Sequence, residues 1–354
     1  ERWASWGVTP ELERSLLGLL RMKPRRTASG VATITVLTRP WPCSGSCAFC
    51  PCDVRMPKSY LHDEPACQRA EQNYFDPYLQ VASRLRALVQ MGHPTDKVEL
   101  IVLGGTWSDY PCGYQRWFVS ELFRALNEGG TTGANEPEVA RLVAMHEGAG
   151  ESGDAAELAR RVAAVQAQVD AGELAYNEAV MALYGRAAQD VSAERLRELH
   201  RENEGAAHRV VGLALETRPD AVSAPALRLM RELGATKVQI GVQALRQDVL
   251  DSCARGMRME QIERAFRLLR HFGFKIHAHL MANLPGSTPE ADAEDFRTLV
   301  RDARFCPDEV KLYPCVLIGG TPLARSTPDA SSGNSPLTGR VGSGPAPNHG
   351  WYGE

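Results

Sequence analysis

Two rhythms of apolar and polar positions take turns along this chain. Short runs rich in β-branched and aliphatic residues read as strands: Val31–Leu37, Val98–Leu103, Val210–Leu215, Lys237–Val242, Phe274–Leu280 and Glu309–Tyr313. Between them, apolar residues recur at helical spacing. Leu79, Val81, Leu85, Leu88 and Val89 mark a helix over 77–92, another lies around Tyr114–Asn127, and segments 222–233, 247–252, 259–272 and 289–303 continue the pattern. Strand alternating with helix six times predicts parallel strands joined by crossover helices. The expectation is an α/β fold, a partial (β/α)6 barrel whose functional residues gather at the C-terminal strand ends.

Three stretches leave the pattern. Residues 1–30 hold a short amphipathic run, Leu12–Leu20, and then a basic cluster of Arg21, Lys23, Arg25 and Arg26. Residues 135–207 are rich in Ala, Glu and Arg and predict two or three solvated helices inserted into the barrel. From Ser326 to Glu354, 15 of 29 residues are Gly, Pro or Ser, which predicts a disordered tail or linker. The expected division is a basic segment 1–30, a barrel domain 31–325 carrying the insertion 135–207, and a tail 326–354.

Composition narrows the class. Of 354 residues, 44% are hydrophobic and 23% charged, the profile of a globular enzyme. No apolar run approaches the ~20 residues a membrane helix needs, and no charged-then-apolar signal opens the chain, so a cytoplasmic protein without a membrane partner is expected. The first residue is Glu1 rather than Met, which suggests a trimmed product or fragment. Residues 128–207 carry fifteen acidic against seven basic side chains, so the net charge of −3 leaves a surplus of +5 elsewhere. That remainder permits a polyanionic partner such as RNA.

The cysteines carry the chemistry. Nine are too sparse for a disulfide scaffold, yet Cys43, Cys47, Cys50, Cys52 and Cys67 fall within 25 residues. Cys43-x3-Cys47-x2-Cys50 places three thiolates on the loop leaving the first strand. Three thiolates can hold three irons of a 4Fe-4S cube and leave the fourth open, and Phe49 can shield such a cluster from water. This spacing is the signature of radical S-adenosylmethionine (SAM) enzymes. A zinc knuckle with Cys52 or Cys67 as fourth ligand is the alternative.

Gly104-Gly105-Thr106 ends the second strand, where bare backbone can approach the amino and carboxylate groups of SAM. Glu216, ending the third strand, can bond ribose hydroxyls or pair with Arg218. Gln239 and Gln243 on the fourth strand suit either a polar interior or a structural role, and His277 and His279 either catalysis or packing. Cys52, Cys67, Cys112, Cys253, Cys306 and Cys315 are expected to be ordinary small residues.

Longer blocks match a family. Lys58-Ser-Tyr60 with Asp63-Glu-Pro65, Phe75–Gln80, Gly92–Thr106, Glu216-Thr-Arg-Pro-Asp220, Gly241-Val-Gln243 and Lys311-Leu-Tyr-Pro314 resemble the Elongator complex catalytic subunit family, and most closely its stand-alone bacterial and archaeal tRNA uridine carboxymethyltransferases. The resemblance covers about residues 20–325. It implies modification of the wobble uridine of tRNA, in the anticodon loop, to 5-carboxymethyluridine with SAM and acetyl-CoA. It further implies a 4Fe-4S cluster on Cys43, Cys47 and Cys50, SAM at Gly104, Gly105, Thr106, Glu216 and Gln243, and acetyl-CoA against Lys97. A homodimer is a further possibility. Family members carry a C-terminal acetyltransferase-like domain, for which no pyrophosphate-cradling loop is found in this sequence, so full activity from this chain alone is expected to be weak or absent. The alternatives are a radical SAM enzyme for another substrate, or a non-catalytic tRNA-binding or assembly subunit with a structural cluster.

Overall fold

A computed structural model of the chain describes residues 6–129, 155–185 and 189–326. The Gly/Pro/Ser-rich tail after Ser326 and the start of the acidic stretch lie outside these residues. Six strands form one sheet: β1 (Ala32–Leu37), β2 (Lys97–Leu103), β3 (Arg209–Thr217), β4 (Lys237–Gln243), β5 (Lys275–Ala282) and β6 (Glu309–Pro314). They lie in the order 1-2-3-4-5-6, every neighbouring pair is parallel, and the sheet curls into a half-barrel with β1 and β6 as its edges. Each strand falls within a few residues of its sequence expectation.

The helices form because an apolar stripe meets the outer face of the sheet and because their ends are capped. In Met259–His271, Ile262, Ala265, Phe266 and Leu269 form the buried stripe, and Phe266 meets Phe305 edge-on at 5.3 Å. The side chains of Asp76, Ser192, Ser223 and Thr288 accept from the first-turn amides of the helices Pro77–Gln90, Ala193–Glu204, Ala224–Glu232 and Pro289–Arg301. The other phase of the strands, including Val238, Ile240, Val242, Ile276, Ala278 and Leu280, packs under these helices in the main core.

The concave face is divided. Under β1–β3, Leu37, Ile101, Leu103 and Ala214 are covered by Met56, Cys67 and Ala70 from the segment that follows the cysteines. That segment includes a helix, Pro65–Gln72, which periodicity alone did not reveal because it is only eight residues long. Under β3–β6 the face is polar: Glu216, Gln239, His277, His279 and Lys311 share it by strand register. At the N-terminal strand ends, Lys237 bridges Glu99 at 3.0 Å and Glu309 at 2.6 Å, so β2, β4 and β6 together floor the barrel. Alternate strands supply one layer, as barrel geometry requires.

The acidic stretch 135–207 has two destinations. The helix Ala193–Glu204 buries Leu196 and Leu199 in the main core. The helices Ala155–Ala171 and Tyr176–Tyr184 lay Val162, Val165, Val169, Tyr176, Ala179 and Val180 against Cys52 and Val54 of the cysteine loop. Among the described residues, no helix is long and apolar enough to cross a membrane.

Candidate active site at the barrel mouth

The chain leaves β1 at Leu37, whose amide and carbonyl are both held by the Gln80 carboxamide at 2.9 Å. Tyr110 then anchors the start of the loop: its hydroxyl bonds Thr38 at 2.7 Å and donates to the Arg39 carbonyl, while its ring stacks on Trp41 and Tyr114. This foot delivers Cys43, Cys47 and Cys50 to one cavity at the C-terminal strand ends, which Gly105, Thr106, Glu216, Gln243, Arg218 and Arg255 also line.

Each thiol meets a different partner. Cys43 Sγ lies 3.4 Å from Thr106 Oγ1, and Cys50 Sγ lies 3.1 Å from Ser59 Oγ. Cys47 Sγ accepts from Arg255 Nη1 at 2.9 Å and Arg218 Nη1 at 3.2 Å. A hydrogen bond from Cys50 and the two guanidiniums hold the Cys47 thiol down to about 4, against the opposing effect of burial. The Cys50 thiol is pushed up, first by sharing that hydrogen bond and then by burial. The arginines are themselves fixed. Arg218 forks onto Asp220 at 2.8–2.9 Å, and Arg255 Nη2 donates to the Gly241 carbonyl.

These residues fit an iron–sulfur cluster. Soft thiol donors line a shared cavity, one is stabilised as thiolate, and two buried cations offset the negative charge a thiolate-ligated cluster brings. Phe49 is buried beside them with the Arg255 guanidinium 6.0 Å from its ring centre. Among the described residues, no three His, Cys, Asp or Glu side chains stand as a ready-made metal-ion site. The zinc reading lacks its fourth ligand here. Cys52 Sγ takes a hydrogen bond from Lys58 Nζ at 3.3 Å, and Cys67 is sealed among apolar side chains under β1–β3, where burial pushes its thiol up.

Of the residues expected from sequence to meet SAM, Gly105, Thr106, Glu216 and Gln243 line this cavity, and Gly104 adjoins it in the same turn without lining it. Gly104 has φ +135°, and a Cβ there would collide with Thr38 Oγ1. Gly105, at φ +59°, keeps the turn open. Gln243 is also left-handed, at φ 72°, and its buried Oε1 finds no protein donor among the described residues, an orphan acceptor suited to an ammonium such as SAM's. Glu216 does not pair with Arg218. Its Oε2 accepts from Tyr60 at 2.6 Å while burial pushes its carboxyl up, and Arg218 is committed to Asp220 and Cys47. Gln239 Oε1 lies 3.2 Å from His279 Nε2, and the rings of His277 and His279 meet edge-on at 5.1 Å. Burial is the main cause that lowers both histidines, His277 to about 4.

Lys97 is not brought here. It is exposed at the first position of β2, the far end of the strand from the Gly-Gly turn. The sequence reading missed Arg255 altogether, and the alternative it left open for Glu216, pairing with Arg218, is not formed. Arg255 lies in a loop more than 200 residues from Cys47, and nothing in the local pattern marks it.

Residues 156–300 match the model of the Radical SAM superfamily. The chain is 35% identical over 322 residues to the tRNA uridine(34) acetyltransferase of Methanocaldococcus infernus, an alignment covering 89% of this chain and 49% of the relative. Its identity to the Dehalococcoides mccartyi protein of the same name is 36% over 301 residues, 85% of this chain and 52% of that one. With human Elongator complex protein 3 the identity is 30%, covering 89% and 48%. Among solved structures, the archaeal Methanocaldococcus infernus Elp3 with an N-terminal deletion superposes with a TM-score of 0.56 at 30% identity, covering 84% of this chain and 48% of that one. Fold and site thus define a radical SAM protein. Within that class its curated relatives carry the names tRNA uridine(34) acetyltransferase and Elongator complex protein 3, and the chain spans about half the length of those it matches.

Proposed function

We propose that this chain is the radical SAM portion of an enzyme that converts the wobble uridine of tRNA to 5-carboxymethyluridine, with SAM and acetyl-CoA as co-substrates. One observation carries the reading. The three thiols, the Gly104-Gly105 turn, Glu216 and Gln243 meet at one strand-end mouth in a chain whose relatives are named for uridine 34 of tRNA. When bound, the cluster supplies the electron for reductive cleavage of SAM.

The protein's own part is binding and orientation. Cys43, Cys47 and Cys50 ligate, and Arg218 and Arg255 hold the Cys47 sulfur anionic. The Gly-Gly backbone and Gln243 Oε1 receive the methionine end of SAM, and Glu216, held through one oxygen by Tyr60, presents the other to its ribose. To the polar concave face under β4–β6, with Gln239, His279 and Lys311 hydrogen-bonded across it, we assign the acyl group and a base withdrawn from the anticodon stack. Lys97 is assigned to acetyl-CoA from the opposite end of β2.

A polyanion has a surface to meet. Arg84 is lowered to about 10 by burial and by the like charges of Arg69 and Arg26, a concentration of positive charge that phosphates would relieve. Arg21 and Arg25 add to that surface by sequence. The cytoplasm suits the nine free thiols.

Anaerobic reconstitution with iron and sulfide, followed by dithionite and SAM, tests the reading. We expect SAM cleavage that increases with acetyl-CoA and tRNA, and carboxymethyluridine in nucleosides from tRNA treated with the full-length gene product. Cleavage indifferent to both would indicate another substrate. A bound cluster with no cleavage would indicate a non-catalytic subunit.

A further inference from the structure

The loop from Thr38 to Glu64 carries every expected cluster ligand and no regular element except turns, so its backbone groups must find partners elsewhere. Many of them find the helix pair Ala155–Ala171 and Tyr176–Tyr184. The Asn177 carboxamide accepts from the Cys43 amide at 3.0 Å and donates to the Cys43 carbonyl at 2.9 Å. Gln166 spans two residues further along, accepting from the Val54 amide at 2.8 Å and donating to the Cys52 carbonyl at 3.2 Å. Tyr176 donates to the Met56 carbonyl at 2.7 Å, and its ring lies 4.7 Å below the Lys58 ammonium.

Five hydrogen bonds from three side chains therefore end on main-chain atoms of Cys43 to Met56, bracketing Cys47 and Cys50. We propose that this helix pair is a clamp that holds the cysteine loop in the shape its cluster requires, with Asn177 and Gln166 as positioning residues. The proposal rests on Cys43, Cys47 and Cys50 being the cluster ligands and is independent of which substrate the enzyme modifies.

The physics favours a clamp over a spacer. A carboxamide facing one residue's amide and carbonyl replaces both bonds that a neighbouring strand would make, and Gln80 does this for Leu37 at the start of the same loop. The bonds fix backbone rather than side chains, so they set where the Cys43 sulfur starts from without competing for it. Packing of Cys52 and Val54 against Val169, Tyr176, Ala179 and Val180 keeps the clamp seated when the amides are changed. Asn177 itself is exposed, so removing its carboxamide leaves no core cavity.

The test compares wild type, Asn177→Ala, Gln166→Ala, the double variant and Glu173→Ala, an exposed change on the same unit, all reconstituted anaerobically. Iron content, the rate of iron release to a chelator, the electron paramagnetic resonance spectrum of the reduced cluster with and without SAM, and the melting temperature of the apoprotein are measured. Losing one or two such bonds corresponds to about a three- to tenfold change in an equilibrium or rate. We expect iron release to accelerate by about that factor in each amide variant and more in the double, with an altered spectrum on SAM addition, unchanged melting and a silent Glu173→Ala. Wild-type release rates and spectra in the amide variants would overturn the proposal. So would faster release that merely tracks a lower melting temperature. Wild type that takes up no iron would instead sink the ligand assignment on which the clamp depends.

Discussion

The two halves of the barrel interior are built from opposite chemistry. Under β1–β3 the chain fills its own barrel: Met56, Cys67 and Ala70 close over Leu37, Ile101 and Leu103. Under β4–β6 the matching positions are Gln239, His277, His279 and Lys311, and burial drives every titratable group among them toward its neutral form. An apolar filling stabilises, roughly in proportion to the area removed from water, whereas a buried polar face costs free energy unless something polar enters. The first half is therefore scaffold, and the second is the face proposed above to receive substrate. The cysteine loop straddles the boundary, with Tyr60 reaching from the first half to Glu216 in the second.

Changes that break this contrast should differ in kind and in size. The largest effect is expected from Cys47→Ser, which removes the thiol that both arginines serve. Iron uptake and SAM cleavage should be lost, while Cys52→Ser, outside the cavity, keeps its iron. Colorimetric iron and sulfide analysis after reconstitution decides between them, and equal loss in both variants would overturn the ligand set.

Gly104→Ala comes next. The left-handed backbone and the collision with Thr38 should cost about 1–3 kcal/mol. A lower urea midpoint together with weaker SAM binding is the expected result.

In the apolar half, Met56→Ala should cost about 2–5 kcal/mol by opening a fully buried cavity. In the polar half, Lys311→Met should leave stability at pH 7 unchanged or raise it, because it removes a cation that burial already disfavours. Equal losses of folding stability in these two variants would erase the distinction between scaffold and receiving surface.

The same lysine supplies a pH test. Burial lowers its ammonium from 10.5 to about 8, with Glu216 and Glu309 opposing that shift and Lys237 adding to it. The unfolded chain therefore binds the proton more tightly, and stability should rise as pH climbs from about 8 to about 10.5. Lys311→Met should flatten that rise in denaturation curves taken across the window. An unchanged slope would mean that Lys311 is not the buried cation described here.

The smallest effect should be that of Lys97→Ala. SAM cleavage without acetyl-CoA should match wild type, since Lys97 stands at the far end of β2. Any loss should appear only as a weaker response to acetyl-CoA.

Much of this was legible in the chain. Period-2 and period-3.6 patterns are local, so the six strands and their crossover helices could be read from Val98–Leu103 or Met259–His271 without knowing their neighbours. The Cys43-x3-Cys47-x2-Cys50 spacing is equally local. What could not be read were contacts closed over long distances: Arg255 on Cys47, Tyr60 on Glu216, and Asn177 on Cys43. For Glu216, the nearest cation in sequence was a misleading guide to its partner.

The sequence by itself determined which segments become strands, which loop carries the three closely spaced thiols and where bare glycine backbone ends a strand, because dihedral preference and thiol spacing are properties of short peptides. Only the tertiary structure decided that two arginines converge on the Cys47 sulfur, that half of the interior is polar, and that a helix pair bonds the backbone of the cysteine loop. Charge stabilisation, burial and two-point backbone pairing each depend on groups that the fold alone brings within a few ångströms.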